Sequence, residues 1–362
     1  MHRLFNNPDA APEGWYWLLR SSEVRRGSVV AMELFGRELA VYRGAGGRVA
    51  ALDAYCPHMG AHLAEGRVEG DELRCFFHAW RFDAGGRCTD MPALGGTPPF
   101  PVCTRSWTVA EKYGLVWLWN GDGAPGPLPF VPELGEGEVA SMLANRFRKP
   151  CHPHVMLINA IDEHHFNSVH ALPVKLHMAT REVSGQRIEF SNTTHVPPGS
   201  WLARFYRGPL TYSMCYWNAA TGTVTLGPDL LHFYIMFALR PDGRGGTDGQ
   251  TVLIARRRRG LLGAIANAAL LALTRVVGAY FAKGDTRVFR SIRFQLRTPT
   301  EADHAIIDFI DHTERQPAVI VSQPGVILSR ADGEGSPADG TRRVQAKGIL
   351  RFAQDDTHGD GA

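Results

Sequence analysis

Two short segments, residues 56–62 (CPHMGAH) and residues 75–80 (CFFHAW), each pair one cysteine with one histidine. The first pair has the spacing C-x-H, the second has C-x2-H, and 16 residues separate the two pairs. A soft thiolate and an imidazole share a site for only a few metals. The two segments are therefore predicted to supply the ligands of one metal centre, held between two loops.

Cys56, His58, Cys75 and His78 together make the ligand set of a Rieske [2Fe–2S] cluster. In that cluster two histidines replace two cysteines on one iron, which raises the reduction potential. The alternative is a zinc site, since zinc also takes two cysteines and two histidines. Zinc pairs usually join like ligands, whereas each pair here mixes a cysteine with a histidine. The order and spacing of the ligands favour the cluster.

The composition is that of a soluble globular protein, with 44% apolar and 21% charged residues. The 362 residues suffice for two domains, and the net charge of +3 gives no indication of nucleic-acid binding. The other four cysteines are scattered and are expected to be free thiols. No signal-peptide pattern opens the chain, and no uninterrupted apolar run reaches the ~18 residues of a membrane span. A cytoplasmic location is expected.

The order of strand-like and helix-like patterns predicts two domains. An N-terminal arm (1–13) precedes an all-β domain with the cluster motif (14–125), where short apolar runs alternate with turns. A Gly- and Pro-rich linker (126–139) leads to a mixed α+β domain (140–325). The remaining residues (326–362) are poor in aromatic side chains and rich in Gly, Asp, Arg and Ala. They are predicted to form a disordered tail.

Within the second domain, helices are predicted at 261–282 and 300–315. Residues 200–240 are rich in aromatic residues and Met, and some of them are expected to line an apolar pocket. Four arginines precede the first helix, so the segment 256–282 could instead contact a membrane surface. Asn267 and Arg275 interrupt its apolar sequence, which favours a helix buried over the pocket.

A second metal site is indicated by Asp162, His165 and His170, which have the spacing D-x2-H-x4-H. Two imidazoles and one carboxylate with open positions form the facial triad of non-haem Fe(II) oxygenases. Two histidines five residues apart point about 140° from each other on an ideal helix. The helix is therefore predicted to be broken between them. Such histidines alone are more often structural, and the preceding cluster motif favours the metal site.

Taken together, these motifs resemble the α-type subunit of Rieske non-haem iron ring-hydroxylating oxygenases, and most of all the aminopyrrolnitrin oxygenase-like single-component subgroup. The segments that carry the resemblance are GWY (14–16), LFGR (34–37), YRG (42–44), HLAEGR (62–67), WRFD (80–83) and YGLVWLW (113–119). One departure is Ala79, which stands where the family commonly has glycine. The resemblance implies an α+β protein, with an N-terminal all-β Rieske domain and a catalytic domain of the helix-grip type, an antiparallel sheet flanked by helices.

The resemblance also implies a third iron ligand, Asp285, in the segment GDTRVF (284–289). Asp303, Asp308 and Asp311 are the alternatives for this ligand. It further implies that Asp162 bridges the cluster ligand His78 of one subunit to His165 of the next, in a head-to-tail homotrimer. A helix N-cap is a compatible structural role for Asp162.

The implied activity uses O2 and electrons from NAD(P)H at a mononuclear Fe(II), to hydroxylate or N-oxygenate an apolar aromatic or polycyclic small molecule. No Gly-rich dinucleotide motif follows a strand, so a separate ferredoxin or ferredoxin reductase is expected as partner. A sterol or steroid oxygenase or demethylase of the same family is the alternative. A Rieske electron carrier without oxygenase activity is a further alternative, which would leave the second motif unexplained.

Overall fold

The computed structural model describes residues 3–170, 176–196, 198–199, 202–228 and 231–321. Short antiparallel strands occupy the N-terminal third, which confirms the predicted all-β domain. These strands are β1 (Ala10–Pro12), β2 (Trp15–Arg20), β3 (Val29–Leu34), β4 (Arg37–Arg43), β5 (Val49–Asp53), β6 (Arg67–Glu69), β7 (Glu72–Arg74), β8 (Arg81–Phe82), β9 (Cys88–Asp90), β10 (Ser106–Trp107), β11 (Val109–Lys112) and β12 (Leu115–Trp119). The predicted tail lies outside the described residues.

Three small sheets build this domain, with the orders β10-β5-β4-β3, β11-β12-β2 and β6-β7-β8-β9. The β3–β4 hairpin turns at Phe35 and Gly36, whose φ angles of 55° and 70° are both positive, as a type I′ turn requires. The Phe35 ring is buried at a right angle to Tyr16, 4.7 Å between ring centres. The buried ring anchors a hairpin turn that would usually hold a polar residue.

The C-terminal domain combines a large antiparallel sheet with four α-helices in the described ranges, as predicted for an α+β domain. Its elements are β13 (Val139–Lys149), α1 (Pro153–Asn159), α2 (His165–Ser168), β14 (Ala179–Ser184), β15 (Arg187–His195), β16 (Pro209–Trp217), β17 (Thr221–Pro228), β18 (Phe233–Pro241), β19 (Thr247–Arg256), α3 (Gly260–Ser291), α4 (His304–Glu314) and β20 (Ala318–Ile320). The sheet order is β13-β19-β18-β17-β16-β15-β14, and the long helix α3 packs against the β13, β18 and β19 strands.

The two domains share an apolar interface. Trp15, Trp17, Trp117 and Trp119 of β2 and β12 pack against the face of β18 and β19 that points away from α3. The buried guanidinium of Arg240 donates hydrogen bonds to two carbonyl oxygens of β2 and lies 3.5 Å from an Asp248 carboxylate oxygen. This buried contact holds the N-terminal domain on one side of the large sheet, and α3 covers the other side.

Residues 3–12 lie against the C-terminal domain. Strand β1 pairs antiparallel with β20. The backbone nitrogen of Phe5 donates to the Glu314 carboxylate at 2.8 Å, and the Phe5 ring is 2% exposed in the domain core. The segment predicted as an arm therefore closes the end of α4.

Helix α3 is longer than predicted, ending at Ser291 instead of at 282. Glycines at 278 and 284 do not stop it, because the helix packs closely on the domain at both positions. By length and composition alone α3 could cross a membrane, with a mean hydropathy of 1.7 over its most apolar 18 residues. The sequence predicts no membrane span, because Asn267 and Arg275 interrupt the apolar sequence of this segment.

We expect the buried His152, which precedes α1, to make the fold acid-sensitive. His152 caps α1 by accepting a hydrogen bond from the His154 nitrogen, and burial lowers the pKa of His152 to about 4. Below the unfolded pKa of about 6.5 the unfolded chain binds a proton that the folded chain does not, so stability falls as the pH drops from about 6.5 to about 4. At pH 5 this costs about 2 kcal/mol.

Replacing His152 with asparagine keeps a capping oxygen and removes the titration. The urea unfolding midpoint of His152→Asn is expected to fall less between pH 7 and pH 5 than that of the parent protein. Equal acid losses in His152→Asn and the parent would contradict the assignment.

Candidate iron centres and substrate cavity

The predicted cluster ligands meet at the tip of two loops in the N-terminal domain. The thiols of Cys56 and Cys75 are buried and close enough to interact, and the rings of His58 and His78 lie 4.4 Å apart between centres. Both histidines lie nearer the surface than the thiols. The Trp80 ring stacks on His58 at 4.3 Å, with an angle of 7° between the planes. The loops therefore offer two sulfur ligands on the buried side and two nitrogen ligands on the surface side.

The loop backbones turn through left-handed conformations. Gly60, with φ +76°, donates a hydrogen bond from its nitrogen to the Cys56 carbonyl oxygen at 2.9 Å. Ala79 has φ +61°, and the Cys75 nitrogen donates to the Trp80 oxygen at 2.9 Å. A non-glycine residue with positive φ carries a steric cost. This explains physically why glycine is common at the position of Ala79 in the family that the sequence resembles.

The donor set fits a [2Fe–2S] cluster. Burial raises the pKa of Cys56 to about 11, so metal binding must displace the thiol protons. Two thiolates on the buried side and two imidazoles on the exposed side match the division of ligands between the two irons of a Rieske cluster.

His165, His170 and Asp285 converge at the second predicted site. The Nε2 atom of His165 lies 3.0 Å from Nε2 of His170 and 2.8 Å from Oδ1 of Asp285. The Nε2 atom of His170 lies 3.0 Å from the same oxygen. Ligands that bind one metal at about 2.1 Å are about 3.0 Å apart at right angles and about 3.4 Å apart at the tetrahedral angle. The three distances between these ligand atoms thus fit three positions on one face of an octahedron, so the three positions of the opposite face would be open.

Three chain segments bring these ligands together. His165 opens the short helix α2, which ends at Ser168, so that His170 follows the break that the five-residue spacing predicts. Asp285 lies on α3, beside Gly284. A Cβ atom at Gly284 would come within 3.2 Å of the His170 ring, so this glycine permits the close approach of α3. Burial lowers the pKa of His170, which keeps the ring neutral and able to bind a metal.

Asp162 does not join this triangle. Its Oδ1 accepts hydrogen bonds from the backbone nitrogens of His164 at 3.0 Å and His165 at 3.2 Å, as a cap does. The predicted alternatives to Asp285 also lie elsewhere, because Asp303 bonds to Thr300 and the other two are on α4. In the described part of the chain, Asp285 is the carboxylate that meets both histidines.

A second grouping of possible ligands, Glu163, His177 and His304, is better explained by hydrogen bonds. The ring nitrogens of His304 lie 2.7 Å and 3.2 Å from the carbonyl oxygens of Met178 and Glu301. These carbonyls, with Glu163 nearby, raise the pKa of His304. Both ring nitrogens thus face carbonyl oxygens, which favours hydrogen bonding over metal binding at this grouping.

The triangle opens into a cavity of about 270 Å³ between the sheet and α3. Its apolar lining consists of Phe147, Met156, Leu157, Phe166, Tyr212, Met214, Val224, Leu226, Ile235, Phe237, Leu239, Phe281 and Phe289. Polar groups reach the wall at few points, among them Lys149, whose Nζ lies 3.0 Å from Thr286 Oγ1. The cavity can therefore hold an apolar molecule beside the open metal face.

Among the aromatic and Met residues of 200–240, Tyr212, Met214 and Phe237 line the cavity. Tyr234 and Met236 face the N-terminal domain instead, and Phe205 is 82% exposed. Trp201 lies outside the described residues. Helix α3 covers the cavity, as expected for a helix buried over the pocket. Sequence reasoning missed the contribution of β13, because nothing local indicates that this strand faces the cavity.

Comparison with known proteins supports the two parts of the chain differently. The sequence profile of the Rieske [2Fe-2S] domain matches residues 14–101. The oxygenase component of 3-ketosteroid-9-alpha-monooxygenase from Rhodococcus rhodochrous is 36% identical over 163 residues, 43% of this chain and 42% of the relative. Aminopyrrolnitrin oxygenase PrnD from Pseudomonas fluorescens is 36% identical over 170 residues, 44% of this chain and 46% of the relative. The chain spans less than half the length of these relatives.

The fold extends the similarity beyond that region. The crystal structure of dicamba monooxygenase bound to dicamba superposes with a TM-score of 0.59 at 19% identity, covering 84% of this chain and 96% of the other. At that identity the match concerns the fold. The chain therefore carries a Rieske [2Fe–2S] domain, and its relatives and structural neighbours are Rieske non-haem iron oxygenases.

Proposed function

We propose that this chain is the oxygenase component of a Rieske non-haem iron system. It uses O2 and electrons from NAD(P)H, delivered by a separate reductase, to hydroxylate or N-oxygenate an apolar aromatic or polycyclic small molecule. One observation carries the proposal: the chain combines the paired Cys and His loops with a two-histidine, one-carboxylate triangle on an apolar cavity. An electron carrier needs the first feature only.

Each part of the chain then has a task. When bound, the [2Fe–2S] cluster passes single electrons and the mononuclear Fe(II) activates O2. Cys56 and Cys75 would hold the cluster from the buried side, and His58 and His78 would hold it from the surface side. His165, His170 and Asp285 would hold the iron at the edge of the cavity, beside a bound substrate. The apolar walls exclude water from the reacting molecule.

The surface around the cluster supports a protein partner. Tyr55, Met59, Phe76 and Phe77 are all more than half exposed beside His58 and His78. Grouped exposed apolar side chains mark interaction sites. We infer that this tip docks on a ferredoxin or ferredoxin reductase, and on the neighbouring subunit of a head-to-tail homotrimer, where Asp162 links His78 to His165.

The cavity favours an apolar substrate and leaves two chemical classes. Lys149 and Thr286 form one polar anchor. Asn145, Asn159 and Thr251 reach the same largely apolar wall, which suits an aromatic molecule with a few polar groups. A sterol or steroid oxygenase or demethylase is the second candidate, favoured by relatives named for cholesterol and 3-ketosteroids. Turnover of both classes with labelled O2 distinguishes them, since the label enters only the product of the true substrate.

The first test is the content of iron and acid-labile sulfide in anaerobically purified protein. About three irons and two sulfides per chain are expected, two irons and two sulfides from the cluster and one iron from the triangle. Two irons and two sulfides that do not change after addition of Fe(II) would favour the electron carrier. A colourless protein that contains zinc would contradict both the oxygenase and the electron carrier.

A further inference from the structure

Helix α3 has two apolar faces, of which the domain covers one. The inner face buries Asn267, Leu271, Thr274 and Phe289 and presents Asp285 to the histidines. Large apolar side chains on the opposite side remain exposed, and we call them the outward face: Leu261, Leu262, Ile265, Leu273, Val276 and Tyr280. At 3.6 residues per turn, the spacing of these six residues places all of them within about 120° around the helix axis.

The exposure of the outward face is large. Leu261, Leu262 and Val276 are 79%, 82% and 67% exposed. Soluble proteins rarely leave a contiguous apolar strip of this kind to water, and such strips mark contacts with proteins or membranes. Contact with the cavity explains the apolar side chains of the inner face. It does not explain the apolar side chains of the outward face.

The charges around the strip identify its partner. Residues 256–297 contain ten Arg and Lys and a single acidic residue, Asp285, which faces the iron site. Arg256–Arg259 precede the strip, all exposed. Lys283, Arg287 and Arg290 continue the same side of the helix beyond Tyr280, and they too are exposed. An apolar strip with cations at both ends matches a lipid bilayer, whose acyl region lies beneath anionic headgroups.

We propose that the outward face of α3 docks the protein on an anionic membrane surface, with its six apolar side chains in the interface and the flanking arginines on lipid phosphates. The helix lies on the membrane and does not cross it, because crossing would pull Asp285 away from His165 and His170. The inner face of the same helix lines the cavity at Gly278 and Phe281. A substrate dissolved in lipid would thus be one helix diameter, about 10 Å, from the cavity; this delivery route rests on the proposed function, whereas the docking does not.

Flotation of the purified full-length protein with vesicles tests the docking, without substrate or turnover. Vesicles with roughly one third phosphatidylglycerol are expected to retain the protein, and vesicles of phosphatidylcholine alone to retain much less. The variant Leu262→Glu/Val276→Glu is expected to lose at least about 30-fold in affinity. The variant Arg257→Gln/Arg290→Gln is expected to lose roughly tenfold or more in affinity, at about 1 kcal/mol for each cation.

Val183→Glu, at an exposed position of the edge strand β14, is the matched control and should bind like the parent. Melting temperature and oligomeric state are measured for each variant. Failure of the parent to bind anionic vesicles would overturn the proposal. So would a change of oligomeric state in Leu262→Glu/Val276→Glu, because a second copy would then cover the face, or binding to DNA in place of vesicles. None of these outcomes depends on whether the protein oxygenates a substrate.

Discussion

The substitution Asp285→Ala is expected to remove the mononuclear iron and to leave the [2Fe–2S] cluster intact. The iron content should fall from about three to about two per chain, and turnover should fall at least about 100-fold. The physical reason is the triangle itself. Without the Asp285 carboxylate, two neutral imidazoles face the metal, which is too few ligands to hold Fe(II) against water and chelators. The visible spectrum of the cluster should not change.

The matched control for Asp285→Ala is Asp308→Ala on α4, at one of the positions that the sequence left as an alternative. It removes a carboxylate of the same kind and is expected to keep all three irons. If Asp285→Ala retained its third iron and Asp308→Ala lost it, the ligand role would pass to α4. If both lost it, iron loss would reflect general destabilisation, which the melting temperatures of the two variants would reveal.

The local parts of both candidate metal sites were predictable because the proposed ligands lie on short segments. Cys56 with His58, and Cys75 with His78, form pairs whose spacing is itself the signal. The break between His165 and His170 followed from helix geometry alone. Asp285 is different, since 114 residues separate it from His170 and no spacing rule connects them. A family resemblance supplied that residue, and the structure supplies the geometry.

Only the apolar and aromatic character of the cavity wall was predictable from the sequence. Alternation along a strand indicates two faces, but it does not indicate what covers each of them. On β18, Phe237 faces the cavity and Met236 faces the tryptophans of the N-terminal domain. The difference arises from the packing of that domain on one side of the sheet and of α3 on the other. Neither contact leaves a local trace in residues 200–240.

Helix α3 shows a limit of a different kind. A long apolar sequence with few charges fits a buried helix and a membrane-facing helix equally well. The sequence favoured burial, and the structure buries one side only. The inner face carries Asp285, whereas the outward face leaves Leu262 and Val276 in solvent. Helical periodicity therefore had to be combined with the position of the cavity before the two faces could be assigned.

Asp162 has two proposed roles, and they make different demands on its side chain. As a cap, it needs an oxygen that accepts the backbone hydrogen bonds of His164 and His165. As a bridge between His78 of one subunit and His165 of the next, it needs a charged carboxylate that accepts hydrogen bonds from two imidazoles. Asparagine meets the first demand and fails the second.

We therefore expect Asp162→Ala to keep both metal centres, because loss of a cap costs only about 1 kcal/mol of stability. Turnover should fall at least about 100-fold, because the proposed link between His78 and His165 is lost. Asp162→Asn should restore the cap and not the turnover. Re-oxidation of the chemically reduced cluster, followed by its absorbance with substrate and O2 present, should be slow in both variants. Normal re-oxidation in Asp162→Asn would show that the residue serves the helix alone, and electrons would then need another path to the iron.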